Sequence, residues 1–199
     1  MIKKTVNVVC IKWGTLYGRE YVNRLYAMVK RYLQRPFNFY CITDDDAGIR
    51  EEVLLRQMPA FPLPPSARGP WQKLLMFQRK LFDIKGKTMF LDLDVVIVGS
   101  LDRFFDFSEY FSVRHEFDKR KEKDPFGNTS MYVFNAGSCP EIYEDYFKNQ
   151  ESIHKKYGTA EQEYVTRTLF SKKKLVFLPN EWVQSFKGHC LPAFPMRWW

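Results

Sequence analysis

Long apolar runs are missing from this 199-residue sequence, and none approaches the ~20 consecutive apolar residues that a bilayer-spanning helix needs. A secretory leader is missing as well. Between Lys3-Lys4 and Lys12 there is only Thr5–Ile11, too short and too polar for the apolar part of a leader, so a cytoplasmic location is expected. Cysteine is sparse: Cys10, Cys41, Cys139 and Cys190 are widely spaced and form no C-x-x-C pair. The even count leaves disulfides arithmetically open, but the length and the missing leader argue against a disulfide framework. Cys10 and Cys41 fall in apolar, strand-like runs, where a thiol acts as a small hydrophobe. Histidine is scarcer still. His115 and His154 fit no ligand spacing and are expected at the surface, which leaves His189 as the one imidazole to weigh for a metal. With no internal repeat and no low-complexity segment, 1–199 reads as a single domain, large enough to bury roughly 70% of its unfolded surface.

Positive charge and aromatic surface are abundant. Lys and Arg number 31 against 23 Asp and Glu, a formal net charge of +8, which favours an anionic partner such as a nucleotide, a nucleic acid or an acidic membrane surface. Apart from Lys119–Lys123 and Lys172–Lys174, which read as solvated loops, the basic residues are scattered. They form no stripe and accompany no nucleic-acid motif, so nucleic acid is not an expected partner. Phe, Tyr and Trp make up 17% of the chain, a share that a large aromatic core explains more readily than stacking on a base or sugar.

Two acids interrupt the most apolar stretch, Phe90-Leu91-Asp92-Leu93-Asp94-Val95-Val96-Ile97-Val98. Carboxylates are costly to bury unless paired or metal-bound. Residues i and i+2 of a strand face the same side with Cα atoms roughly 6.5–7 Å apart, so Asp92 and Asp94 can converge on one cation at the end of a core strand. One or two carboxylates completed by substrate phosphates is how Mg²⁺ is usually held, and Mn²⁺ has similar tastes. The plainer alternative is a strand that stops at Asp92, with Asp94 opening a turn.

Around this pair, apolar spacing predicts strands over Thr5–Ile11, Phe37–Thr43, Val53–Met58, Lys87–Asp92, Tyr110–Arg114, Ser130–Asn135 and Lys174–Leu178. Helices are predicted over Glu20–Leu33, Trp71–Phe82, Pro140–Asn149 and Thr159–Phe170. The segment from Pro59 to Pro70, with five prolines, and the polar stretch 116–129 read as loops, and the chain from Pro179 onward reads as irregular. Strands alternating with helices indicate a layered α/β domain with a largely parallel sheet. Ligands of such sheets bind outside the carboxyl ends of the strands, where Trp13–Gly18, Thr43–Asp46 and Asp92–Asp94 fall.

Taken together, KWGTLYGREYVNRLYAMVKRYL (12–33), FYCITDD (39–45), WQKLLMF (71–77), FLDLDVVIVGSLD (90–102), NTSMYVFNAG (128–137), EQEYVT (161–166) and PNEWVQSFKGHC (179–190) resemble bacterial GT-A-type glycosyltransferases. The nearest branch is similar to the family-8 retaining enzymes that use nucleotide-diphospho-sugars. The resemblance implies a single-domain, Rossmann-like GT-A fold with a mixed, mostly parallel central sheet flanked by helices. It implies transfer of a sugar, from a UDP-sugar by preference, to a glycan, lipid-linked or protein acceptor in polysaccharide or glycoconjugate synthesis.

Roles follow position by position. Asp92 and Asp94 would hold Mn²⁺ or Mg²⁺ against the diphosphate. Tyr17 would stack on the base, and Thr43 and Asp44 would contact base or ribose. Lys73 would reach a phosphate or sugar oxygen, Asn128 and Ser130 would face the donor sugar, and Glu161-Gln162 would lie near the reacting carbon. Lys187 in Ser185-Phe186-Lys187-Gly188-His189-Cys190 would join the substrate site. In an inverting enzyme Glu161 would deprotonate the acceptor; in a retaining one, which the family-8 likeness favours, Glu161 and Gln162 would position the sugar.

Two departures from the family stand out. Relatives continue past this last motif to a Phe-His-Gly histidine that can complete the metal site, whereas this sequence stops at Trp199, so either a C-terminal segment is lacking or His189 substitutes. Glu161 also stands where the family more often has Asp. Trp198-Trp199 beside Arg197 suit a peripheral contact at the cytoplasmic face of a membrane. Each residue has a plainer role as well: Tyr17 packing on the following helix, Asp44–Asp46 as a solvated turn, Lys73 facing solvent, Asn128 in a Gly-Asn turn, and Trp198-Trp199 as an exposed end. Among functions, a noncatalytic nucleotide-sugar-binding module is the main alternative. A haloacid-dehalogenase-type phosphatase is disfavoured, because no Asp-Asp or Gly-Asp-x-x-x-Asp follows Asp94.

Overall fold

In Val6–Lys12 (β1) every side chain is buried, and this strand is the centre around which the chain is arranged. The structure is a computed structural model that describes residues 4–65, 67, 69–116 and 126–190. β1 pairs in parallel with Phe37–Thr43 (β2) on one side and Lys87–Leu91 (β4) on the other, and β2 continues to the edge strand Leu54–Gln57 (β3). Beyond β4 lie Gly127–Asn135 (β6), Phe111–His115 (β5) and Leu175–Leu178 (β7), giving the order β3-β2-β1-β4-β6-β5-β7. Only β6 is antiparallel to its neighbours β4 and β5. Six strands therefore end at one edge of the sheet, and the reversed β6 begins there.

Alternating side chains supply two cores. Val8, Cys10, Phe39, Cys41, Met89, Leu91, Met131 and Val133 pack with Val22, Leu25 and Val29 of the helix Arg19–Tyr32 (α1). Val9, Ile11, Tyr40, Ile42, Phe90, Tyr132 and Phe134 face the opposite layer. That layer is made of the 3-10 turn Trp71–Phe77 and the helices Pro140–Tyr157 (α3) and Glu161–Ser171 (α4). Strands covered on both sides need apolar residues on both sides, which is why these segments read as continuous apolar runs. The aromatic abundance goes largely into the second core, where Tyr132 lies 4.9 Å from Phe90, 4.8 Å from Phe111 and 5.9 Å from Phe77, centroid to centroid. Cys10, Cys41 and Cys139 are buried free thiols, as the absence of a disulfide framework predicts.

Several elements depart from expectation. The strand stops at Leu91 and a turn follows, as in the plainer alternative, so the strand argument for a shared face of Asp92 and Asp94 does not hold. Leu93 and Ile97 dip into the core while Val96 and Val98 are 72% and 83% exposed, so the apolar run is a strand end followed by a surface segment. Trp71–Phe82 is not an α-helix: the 3-10 turn ends at Phe77, Gln78 is extended and Phe82 takes a positive φ of 50°. In that turn Trp71 and Lys73–Phe77 are all buried, so no solvent face supports a longer amphipathic helix.

β6 begins at Gly127 rather than Ser130, because its first residues pair with Arg114 and His115 of β5. α3 runs on to Tyr157 through a break at Asn149, and a short helix Asp102–Phe105 (α2) follows the acidic turn. His115 and His154 are half-buried rather than on the surface, His154 lying against Trp71 with its Nε2 2.9 Å from the Tyr146 hydroxyl. Residues 117–125, including the Lys119–Lys123 run, and Trp198-Trp199 lie outside the described residues.

Arg35 ties the segment after the acidic turn to α1. Its guanidinium, 6% exposed, bonds the Asp102 carboxylate at 3.1 Å, the Asp102 carbonyl and the Asp106 carboxylate, and Asp102 accepts the Gln34 backbone N–H at 2.9 Å. Removing one partner from a buried pair leaves the other charge unpaired. Arg35→Ala is expected to cost ~2–4 kcal/mol in urea unfolding, and Asp106→Ala, at the exposed end of the network, under ~1 kcal/mol. Equal losses would show that burial of this pair does not govern its strength.

Candidate functional site

A cavity of about 240 Å³ opens between the ends of β1 and β4, lined by Ile11, Trp13, Leu16, Tyr17, Pro70, Lys73, Asp92, Leu93 and Asp94. The chain leaves β1 toward β2 on one side, and β4 lies on the other, so this is the topological switch point where α/β sheets bind ligands. A wider hollow of about 510 Å³ sits at the opposite edge, where Phe37 begins β2, and none of the expected site residues reaches it.

Asp92 is held from three directions. Its backbone N–H donates to the Ser130 carbonyl at 2.8 Å, which joins the end of β4 to the start of β6. The Ser130 hydroxyl favours its carboxylate, and the Lys73 ammonium lies 2.7 Å from both carboxylate oxygens. Desolvation pushes the Asp92 carboxyl above the usual carboxylate range, with Lys73 and Ser130 opposing it. Asp94 is exposed, and the Tyr17 hydroxyl donates to it at 3.3 Å. Tyr17 also packs edge-on against Tyr21 at 4.7 Å, so it serves both the site and the start of α1. Burial and the Asp94 charge raise its phenol pKa.

A second carboxylate lies inside. Glu161 opens α4 and is 2% exposed. One of its oxygens accepts from the Thr129 hydroxyl at 3.1 Å, while Oε1 has no hydrogen-bond partner among the described residues. Burial raises its pKa to about 7, against the opposing pull of Lys73 and Thr129. The Tyr132 hydroxyl is likewise buried without a partner there, and burial followed by the charges of Glu161 and Asp92 raises its pKa far above that of a free phenol. Thr129 reaches Glu161 because of an irregularity in β6. Val113 pairs with Tyr132 but the next residue, Arg114, pairs with Asn128. Such bulges re-aim side chains, and here the alternation shifts so that Thr129 and Tyr132 share the α4 side.

The remaining expected residues are placed as follows. Thr43 is buried at the end of β2, and its hydroxyl is used within its own turn, donating to the Asp45 carbonyl at 2.8 Å and accepting the Asp45 N–H at 3.1 Å. Asp44 accepts the Gly14 N–H at 2.9 Å and so bridges the loops after β1 and β2. Asn128 caps the Ser130 N–H at 3.1 Å. Gln162 turns away from Glu161 and donates to Glu116 at 2.8 Å, because consecutive helical residues diverge by about 100°. His189 Nδ1 accepts the Ser185 N–H at 3.0 Å inside the turn Phe186–Cys190. No group of three or more metal-ligating side chains occurs among the described residues, so His189 is not brought together with Asp92 and Asp94. Lys187 lies in the same turn, and its side chain is outside the described part.

Sequence reasoning gave no individual role to four contributors, of which Trp13 alone lay in a segment it had placed at the ligand-binding edge. Trp13 walls the cavity, Thr129 and Tyr132 surround Glu161, and Lys12, buried at the end of β1, reaches Asp45 at 3.4 Å. The Ala47 N–H, then Lys12, holds the Asp45 carboxyl below its usual range. A lysine at the end of an otherwise apolar strand was a legible signal; Thr129 carried none, since only the bulge turns it.

No protein-family model matches the chain, and no curated protein matches it by sequence. Its structure resembles that of the galactosyltransferase LgtC in complex with donor and acceptor sugar analogs, with TM-score 0.61 and 14% identity over 86% of this chain and 72% of that one. An active-site mutant of LgtC gives 0.66 and 12% over 96% and 79%. The glycosyltransferase GlyE of Streptococcus pneumoniae TIGR4 gives 0.63 and 13%, with 88% of this chain covering 45% of GlyE. The chain thus has the GT-A-type fold, a seven-stranded mixed sheet flanked by helices. No helix among the described residues is long and apolar enough to cross a membrane.

The raised Glu161 value has a thermodynamic consequence. Its folded pKa of about 7 lies above the ordinary 4.5, so the native state prefers the neutral carboxyl. That preference stabilises fully below about pH 4.5 and is lost as pH rises through about 7. Glu161→Gln is a neutral isostere without this dependence. Between about pH 5 and pH 8 the wild type is expected to lose on the order of 2 kcal/mol relative to the variant. Urea denaturation of both proteins at the two pH values measures the difference, and an unchanged gap would rule out a neutral buried Glu161.

Proposed function

We propose that this chain is a divalent-metal-dependent glycosyltransferase that moves a sugar from a nucleotide-diphospho-sugar, UDP-sugars foremost, to a glycan, lipid-linked or protein acceptor. The observation that carries the proposal is the convergence of Asp92, Asp94, Lys73 and Tyr17 on one cavity at the switch point of a GT-A sheet, with the Glu161 carboxyl buried close enough to feel Lys73 and Asp92. Structural likeness to a galactosyltransferase bound to donor and acceptor sugar analogs supports the same ligand classes here. The resemblance to family-8 enzymes supports UDP as the base carrier and retention as the outcome.

Asp92 and Asp94 fit Mg²⁺ or Mn²⁺: both present hard carboxylate oxygens to the same cavity, and substrate phosphates complete such a shell. When bound, the ion neutralises charge that gathers on the departing diphosphate. Lys73 supplies a second positive charge, already desolvated, for the same oxygens. Trp13 and Tyr17 offer aromatic surface to the base. Glu161 Oε1, with its hydrogen-bonding capacity unspent among the described residues, is suited to a sugar hydroxyl. Full burial of Glu161 suits contact with the donor better than with an acceptor arriving from solvent, which again favours retention.

A hydrolysis screen across UDP-, GDP-, CMP- and dTDP-sugars with Mn²⁺ tests this directly. The wild type is expected to release free sugar from one class, and Asp92→Asn and Asp94→Asn each to reduce the rate at least ~100-fold, the scale of losing an electrostatic contact to the leaving group. Turnover that survives both substitutions sinks the metal-site assignment. Binding of Mn²⁺ with UDP, seen as a rise in melting temperature without turnover, points to the noncatalytic module instead. Release of phosphate from phosphomonoesters without any sugar nucleotide overturns both.

A further inference from the structure

We infer that Lys73 is an internal counter-ion that competes with the divalent ion for Asp92, so that metal and diphosphate bind as a coupled pair. The inference rests on the proposed function and adds to it an order of preference: the metal alone binds poorly, and the diphosphate makes room for it. Lys73 Nζ lies 2.7 Å from both oxygens of Asp92, which leaves the carboxylate no uncontested edge. The two side chains are only 10% and 20% exposed, so each is the other's main compensation for lost water. Among the described residues Asp94 carries no comparable competitor, being exposed and contacted at 3.3 Å by the Tyr17 hydroxyl.

The ammonium has few places to go. Its backbone sits in the Trp71–Phe77 turn, anchored by Lys73 N–H to the Pro70 carbonyl at 3.0 Å, and Nζ passes 5.7 Å from the centre of the Phe90 ring. A cation that takes the Asp92 oxygens therefore leaves a desolvated ammonium that must find another anion. Asp94, the other carboxylate lining the cavity, goes to the ion, and the buried carboxylate that feels Lys73 is Glu161, whose Oε1 is unpartnered among the described residues but whose burial disfavours its charge. A diphosphate in the cavity satisfies the ammonium far better. Transfer of Lys73 from Asp92 to the diphosphate frees Asp92 for the ion, and by linkage each ligand raises the affinity for the other by the same factor.

Mn²⁺ titration of the wild type and of Lys73→Met, with and without saturating UDP, tests this, the association of UDP with Mn²⁺ in solution being measured separately and subtracted. Methionine keeps an apolar stem over Phe90 and removes the charge. In the wild type, UDP is expected to raise Mn²⁺ affinity at least ~10-fold, within the usual range of coupling between sites. In the variant, Mn²⁺ alone should bind at least ~10-fold tighter than to the wild type, and the gain from UDP should shrink. The wild-type arm stands alone if the variant does not fold: Mn²⁺ affinity unchanged by UDP overturns the inference. Equal affinity of the two proteins for Mn²⁺ alone also overturns it, while leaving the metal site in place. Absence of Mn²⁺ binding to the wild type under every condition overturns the metal site itself, and the inference with it.

Discussion

One hydrogen bond, from the Asp92 backbone to the Ser130 carbonyl, marks the constraint on which the site depends. It forms because β6 runs against the other six strands, so the residues that start β6 meet the residue that follows β4. Were β6 parallel, its first residues would sit at the far edge, and Asn128, Thr129 and Ser130 could not approach Asp92. The reversal also sets the depth of the site. The bulge between β5 and β6 turns Thr129 toward α4, where it meets Glu161. A single change of strand direction thus brings together groups separated by about seventy residues of chain.

Charge burial is the second organising fact. Lys73, Asp92 and Glu161 are three ionisable groups in a region walled by Phe90, Tyr132 and Trp13, where an unpaired charge is costly. The protein reduces that cost by pairing Lys73 with Asp92 and by favouring a neutral Glu161. The arrangement is balanced for the resting protein yet leaves hydrogen-bonding capacity unused, among the described residues, at Glu161 Oε1 and the Tyr132 hydroxyl. Such unspent groups suit a site that expects a polar ligand, because the ligand then supplies what the fold withholds.

Much of the layer order was legible in the chain. β2 matches its expected limits, and β1, β4, β7 and α1 lie within one or two residues of theirs, because each is a compact apolar segment with clear punctuation. Trp71–Phe77 was misread because an all-buried turn and a helix share the same apolar spacing over so few residues. The run from Asp92 to Val98 follows the plainer of its two readings, a strand end and a turn, and its Val96 and Val98 are exposed, since hydrophobicity permits burial without requiring it.

Asp92 and Asp94 could be singled out from the order of residues alone, because acids in an apolar run are a local signal, whereas Lys73 and Tyr17 came only with the family resemblance. That the four share one cavity could not be read from that order, since it depends on which strands become neighbours. Gln162 shows the same limit: adjacent to Glu161 in sequence, it points elsewhere because a helix turns by about 100° at each step. The sequence by itself determined the α/β alternation, the two cores and the chemistry available at the strand ends. Only the tertiary structure decided the direction of β6, the bulge that aims Thr129 and the pairing of Lys73 with Asp92, because each joins residues far apart in the chain through contacts that no local pattern records.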